Sequence, residues 1–133
     1  MDHKDILLAR DPAKSILLVD DEPAVFTILA ARLRALGYLV DLVTNAADAW
    51  RCLGAQRYTF VITDWQLGDG DGIKIADAAA NLGSKTVVIS GYDLGSLANR
   101  HLRLSKPISL SELYALIEQN VETNTSNSRP LSS

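Results

Sequence analysis

Five short apolar runs alternate along the chain with stretches whose apolar positions recur at helical spacing. Ile16 to Val19 is continuously apolar, as a strand covered on both faces should be. From Pro23 onward Val25, Ile28, Leu29, Leu33 and Leu36 repeat with a helical period, and Gly37 supplies a stop. Leu39 to Val43, interrupted by Asp41, reads as a strand nearer an edge. Asn45 is placed to cap a helix that carries Ala49, Trp50 and Leu53 and closes at Gly54. Tyr58 to Thr63 is the third strand. A Gly/Asp-rich loop leads into a small-residue helix with Ile73, Ala76 and Ala80, ended by Gly83. Val87 to Ile89 and Leu102 to Ser105 are the fourth and fifth strands. Between them Leu94 to Asn99, with Gly95 inside, leaves room for hardly two helical turns. Ser109 with Glu112 forms a capping-box pattern ahead of Leu113, Ile117 and Val121. Strands alternating with helices imply right-handed crossovers and a doubly wound α/β sheet, a (βα)5 sandwich.

Length and composition add bounds to that picture. With 133 residues the chain is expected to hold one domain, residues 15–121, between an N-terminal extension (1–14) and a polar, disordered tail (122–133) rich in Ser, Thr and Asn. The net charge of −3 and the lack of any Lys/Arg cluster argue against nucleic acid as a partner. The lone Cys52 cannot form an internal disulfide and is read as a small core residue. Ile6 to Ala9 is too short for a signal segment, and no stretch approaches a membrane span, so a cytoplasmic location is expected.

The chemistry lies at the strand ends. Asp20-Asp21 follow the first strand, Asp64 the third, Ser90 the fourth and Lys106-Pro107 the fifth. In a parallel sheet these ends share one edge, so the side chains are expected to meet in one crevice. Two carboxylates about 5 Å apart repel by roughly 3 kcal/mol at an effective dielectric near 20. A divalent cation removes that conflict, and all-oxygen ligation suits Mg²⁺, or Mn²⁺ in its place. We assign Asp21 and Asp64 as direct ligands, Asp20 as the holder of an ion-bound water, and the backbone carbonyl of Gln66 as a third protein ligand. Lys106 pairs with Asp64. Ser90 donates to a phosphoryl oxygen, Gly91 permits close backbone approach, and Gln66 and Trp65 flank the same group. Phosphoryl transfer needs mainly positioning and charge neutralisation, with Asp64 as the nucleophile. Each piece alone has an ordinary reading: Asp-Asp as a turn or cap, Asp64 as a turn residue, Lys-Pro as a surface dipeptide. The ordered set is what carries weight.

As an ordered set, Val19-Asp20-Asp21-Glu22-Pro23, Asp64 with its loop ending Asp71-Gly72, Ser90-Gly91 and Lys106-Pro107 resemble the receiver domain of bacterial two-component response regulators. The likeness covers roughly Ser15 to Val121. It implies the flavodoxin-like strand order 2-1-3-4-5, which the apolar pattern by itself does not dictate. It also implies that Asp64 accepts phosphate from a histidine kinase or histidine phosphotransfer protein, that Mg²⁺ is required, and that the domain assists its own phosphorylation and dephosphorylation. The output partner would be another protein.

Several positions depart from the family. Gly68 stands where proline is common and is expected to loosen the loop. Arg103 replaces the usual aromatic switch residue. Lys106 follows Ser90 by only 16 positions. Ser90-Gly91-Tyr92 with this short segment resembles the FAT GUY subgroup, which would make 92–101 mobile and a site of partner recognition. Tyr92 is read as a gate over Asp64 or a partly buried aromatic, and Trp65 as a partner contact or a cover over the third helix. Arg103 reads as a solvated strand residue or a partner-binding charge, and His101 as structural or exposed. The leading function is a phosphorylatable single-domain response regulator. The alternatives are a pseudo-receiver that binds partners without phosphate chemistry, the receiver portion of a larger regulator or hybrid kinase, and a Mg²⁺-dependent phosphohydrolase, which Gln66 two positions after Asp64 disfavours.

Overall fold

The alternation of side chains along each strand divides the interior into two cores, one on either face of a parallel sheet. The computed structural model describes residues 14–127. Strands β1 (Ser15–Val19), β2 (Leu39–Val43), β3 (Phe60–Asp64), β4 (Lys85–Ser90) and β5 (Leu102–Ser105) hydrogen-bond in the order β2-β1-β3-β4-β5. All neighbours are parallel. Helices α1 (Ala24–Ala35), α2 (Ala46–Ala55), α3 (Gly72–Asn81) and α4 (Leu110–Asn127) connect or follow them. This is the doubly wound, flavodoxin-like α/β fold.

Ile16 and Leu18 of β1 point to a core shared with Phe60 and Ile62 of β3, Phe26 and Leu29 of α1, and Leu113 and Ile117 of α4. Leu17 and Val19, one residue out of step, point the other way, to Ala49 and Leu53 of α2 and Ile75 and Ala79 of α3. That two-sided burial is why Ile16 to Val19 of β1 and Phe60 to Ile62 of β3 are apolar without a break. Each fully buried Leu, Ile or Phe contributes about 1.5–3 kcal/mol of transfer free energy, which holds the sheet's register.

Two helical faces differ from the periodicity reading. On α1 the buried stripe is Phe26, Leu29, Ala30 and Leu33, while Ile28 and Leu36 face solvent. Trp50 on α2 is exposed, and Ala46 takes its place beside Ala49 and Leu53. In both cases an alanine lies on the inward stripe and the large residue falls outside it, because the phase of the helix against the sheet, not residue size, decides which positions turn inward. Gly54 does not end α2, which continues to Ala55. The third strand starts at Phe60; Tyr58, before it, is buried and hydrogen-bonds Asp41 on β2.

Gly37 and Gly83 do end their helices, both at φ +97°, a conformation that glycine adopts without steric cost. Ser109 Oγ accepts from the Glu112 N–H at 3.2 Å, as the cap pattern requires. Helix α4 runs to Asn127, past the Glu122 where the polar tail was expected to begin. The packed Leu113 and Ile117 stripe nucleates the helix, and propagation past it adds one hydrogen bond per residue. The expected extension 1–14, apart from Lys14, and residues 128–133 lie outside the described residues.

Between β4 and β5 the connection is a four-residue 3-10 turn, Gly95–Ala98. Its far end is fixed by His101, which is buried and bonds Thr86 on β4 and Asp77 on α3, the latter at 2.7 Å. His101 is therefore structural. Cys52 is half-buried against the α2/α3 core.

Gly72 opens α3 directly beneath the end of β3, where an added Cβ would collide with the Asp64 carbonyl oxygen and meet Thr63 Oγ1 at 2.9 Å. Gly72→Ala is expected to destabilise the fold by about 3 kcal/mol in urea unfolding, because backbone has to move. Gly54→Ala, with nothing within 4 Å of the new methyl, should instead be neutral or stabilise by up to about 1 kcal/mol. Equal unfolding midpoints for the two variants would contradict this account.

Candidate functional site

Parallel strand direction brings four chemically distinct positions to one edge. Asp20 directly follows β1, Asp64 is the last residue of β3, Ser90 the last of β4, and Lys106 directly follows β5. Among the described residues, Asp20, Asp21 and Asp64 each offer a carboxylate oxygen within 4.8 Å of the others. Asp20 and Asp64 are each only 4% exposed, and Asp21 is open to solvent. Lys106 Nζ donates to Asp64 Oδ2 at 2.9 Å. The sequence-predicted acids and the lysine thus meet.

Their electrostatics follow from burial. Asp20 is held above the ordinary carboxylate range, first by loss of water and further by repulsion from Asp64 and Asp21; the Glu22 N–H, donating to its Oδ1 at 2.9 Å, opposes the shift. The hydrogen bond to Asp64 raises the Lys106 ammonium, so it stays charged throughout the neutral range. Three carboxylates against one ammonium leave the cluster short of positive charge. Its donors are all oxygens, the set that suits a hard divalent cation.

The loop after Asp64 is anchored rather than loose. Gln66–Leu67 and Gly70–Asp71 pair as a two-rung antiparallel hairpin. At its tip the Gly68 N–H donates to Asp21 Oδ2 at 3.0 Å. Asp69 accepts from the Ala46 N–H (2.6 Å) and the Ala47 N–H (3.1 Å), two of the free donors at the start of α2. Those amides lower the pKa of Asp69. Gly70 lies so near α2 that a Cβ would come within 2.7 Å of the Ala46 methyl. The loosening expected from Gly68 is therefore offset by these anchors. Gln66 is exposed and faces Asp71 across the hairpin.

On the other flank, Ser90 is buried and its Oγ accepts from the Tyr92 N–H at 2.8 Å. Gly91 is exposed. Trp65 packs half-buried beside Ile73 and Ala76 of α3, Val88 and Leu94. It meets Tyr92 edge-on, with ring centroids 5.8 Å apart. Tyr92 itself is 68% exposed, so the partly buried reading of that ring is corrected; Trp65 is its only aromatic contact among the described residues. Arg103 is exposed, and its Nη1 donates to the Gly95 carbonyl at 2.9 Å. A cavity of about 310 Å³ opens between Ser90, Tyr92, Leu94, Arg103 and Ser105.

Sequence reasoning had no part in two of these contacts. In the sequence Asp69 is only one member of a Gly/Asp-rich loop, and the amides it caps lie 23 and 22 positions earlier, beyond the reach of any local capping pattern. The Gly68 amide has no sequence signature, since a backbone donor is the same in every residue but proline.

Asp20 generates a pH prediction. Its folded-state pKa lies above its unfolded value, so its ionisation opposes folding; that cost is fully present above the folded value and fades as pH falls towards 3.8. Asp20→Asn keeps an oxygen for the Glu22 N–H and removes the charge. Without divalent cations it should stabilise the protein at neutral pH, because the penalty for ionising a buried, crowded carboxyl is removed. The gain should vanish in acid, as measured by urea unfolding at two pH values.

The comparisons with known proteins agree with this geometry. The response regulator receiver domain model matches residues 16–118. The transcriptional regulator NtrC of Azospirillum brasilense is 27% identical over 121 residues, covering 85% of this chain and 25% of its own length. The acid tolerance regulatory protein ActR of Sinorhizobium medicae is 28% identical over 116 residues, covering 81% of this chain and 60% of its own. The chain thus spans a quarter and three fifths of these two relatives. A CheY-like receiver domain structure from Methanospirillum hungatei superposes with a TM-score of 0.75 at 22% identity, covering 86% of this chain and 98% of that one. With its acidic pocket at the carboxyl edge of a β2-β1-β3-β4-β5 sheet, this chain belongs to the response regulator receiver domain family.

Proposed function

We propose that Asp64 is a phosphoacceptor and that this receiver takes its phosphoryl group from a phosphohistidine on a histidine kinase or phosphotransfer protein. The observation that carries the reading is the Asp64 carboxylate, buried, paired with Lys106 at 2.9 Å and crowded by Asp20 and Asp21. An Asp64 carboxylate oxygen attacks phosphorus as the P–N bond breaks, and the donor imidazole, already protonated on its other ring nitrogen, leaves as the neutral ring. The product is an acyl phosphate on Asp64. Little covalent assistance is needed beyond alignment and charge neutralisation.

Asp20, Asp21 and Asp64 would hold Mg²⁺, which supplies the positive charge that lets anionic nucleophile and phosphoryl group approach. The Gln66 carbonyl remains our choice for a further oxygen ligand. Lys106, already charged and in place, exchanges its Asp64 partner for a phosphoryl oxygen. The Ser90 hydroxyl accepts from Tyr92 and keeps its own proton free to donate to the phosphoryl group. Gly91, Gln66 and Trp65 border the space that group would fill. The same residues assist dephosphorylation by holding water near the acyl phosphate.

Output is expected through protein binding. A rotating aromatic is not available at Arg103, so the modified state would be passed on through the Tyr92–Ala98 segment, which Ser90 holds at one end and Arg103 near Gly95. A non-phosphorylated pseudo-receiver is the second reading, favoured by that same Arg103–Gly95 contact, which already pins the segment.

Acetyl phosphate with Mg²⁺ separates the two. A base-labile mass increment of one phosphoryl group is expected on Asp64, absent in Asp64→Asn and strongly reduced in Lys106→Ala. An unmodified parent protein under saturating donor, with Mg²⁺ bound, would establish the pseudo-receiver instead.

A further inference from the structure

We propose that the backbone N–H of Gly68 is a positioning group for the divalent cation, acting through Asp21; this rests on the cation-binding reading above. Asp21 is the exposed member of the acidic trio, and an exposed carboxylate is free to rotate away from a cluster that repels it. The Gly68 N–H donates to its Oδ2 at 3.0 Å. One oxygen is thereby held and the other is left to ligate.

The donor itself is fixed in space. The neighbouring Asp69 is clamped by both oxygens to the Ala46 and Ala47 amides at the start of α2. Gly70 packs so closely on Ala46 that no side chain fits. On the other side Leu67 is buried and paired with Gly70. The amide thus belongs to a loop braced on a helix, and its contact spans 47 positions of sequence, tying the end of β1 to the acceptor loop. A proline at this position would lack the donor altogether. Glycine here therefore supplies a hydrogen bond that orients a ligand, the outer-sphere role that fixes ligand geometry in metal sites.

The test compares two substitutions. Gly68→Ala keeps the N–H, and its methyl would sit at an ordinary 3.6 Å from Asp21 Oδ2. Gly68→Pro removes the N–H, and the preceding Leu67 lies in a strand, the conformation proline tolerates before it. Mg²⁺ alone is titrated into the full chain in a Trp50→Phe background, so that Trp65 beside Asp64 reports binding. Gly68→Pro should weaken Mg²⁺ affinity by about tenfold or more. Gly68→Ala should stay within about twofold of the parent. Equal affinity in the proline variant overturns the proposal. A parent protein whose fluorescence and heat of titration both ignore millimolar Mg²⁺ overturns the cation reading itself, and the positioning role with it.

A second measurement stands whether or not the proline variant folds. The Gly68 amide proton should exchange slowly with solvent in the parent and rapidly in Asp21→Ala. Unprotected exchange in the parent overturns the proposal.

Discussion

The constraint on which the rest depends is like-charge crowding at one edge of the sheet. Two of the three carboxylates are buried, all three lie within 4.8 Å, and no apolar packing can make that favourable. The fold tolerates it by aiming donors at each acid: Lys106 at Asp64, the Glu22 amide at Asp20 and the Gly68 amide at Asp21. The donors come from the end of β5, the start of the α1 connection and the loop after β3, so the edge is held together by parts far apart in sequence. A one-residue slip of β1 or β3 would turn an acid into a helix face and an apolar residue into the crevice.

Around that centre the two flanks are built differently. The loop after β3 is stiff: a hairpin, two clamped oxygens of Asp69, and glycines at Gly70 and Gly72 where backbone meets backbone or a methyl group. The segment after β4 is lighter, a 3-10 turn held by Ser90, Asp93 and Arg103 contacts to backbone. Its distal end becomes firm again where His101 is buried between Thr86 and Asp77. The stiff flank is braced through side chains and close-packed glycines, and the other through a few contacts to single backbone groups.

The apolar strands, their order of appearance, the helix stops at Gly37 and Gly83 and the Asn45 cap were all legible, because each rests on local chemistry. The four chemical positions were legible because parallel strands must end on one side. What misled was helical phase. Ile28, Leu36 and Trp50 are large and apolar but exposed, while Ala30, Ala46 and Ala79 are buried. Size alone does not set burial, because which stripe of a helix turns inward is decided only when helix and sheet pack together.

By itself, then, the sequence determined which residue types stand at the end of each strand and that two faces of the sheet would be buried, since period and composition act within a few residues of each other. Only the tertiary structure decided which helical stripe turns inward, that Asp69 caps a helix far behind it, and that a glycine amide reaches Asp21. These are contacts between backbone and side chains brought from distant segments. A backbone N–H carries no mark in the sequence of the partner it will find.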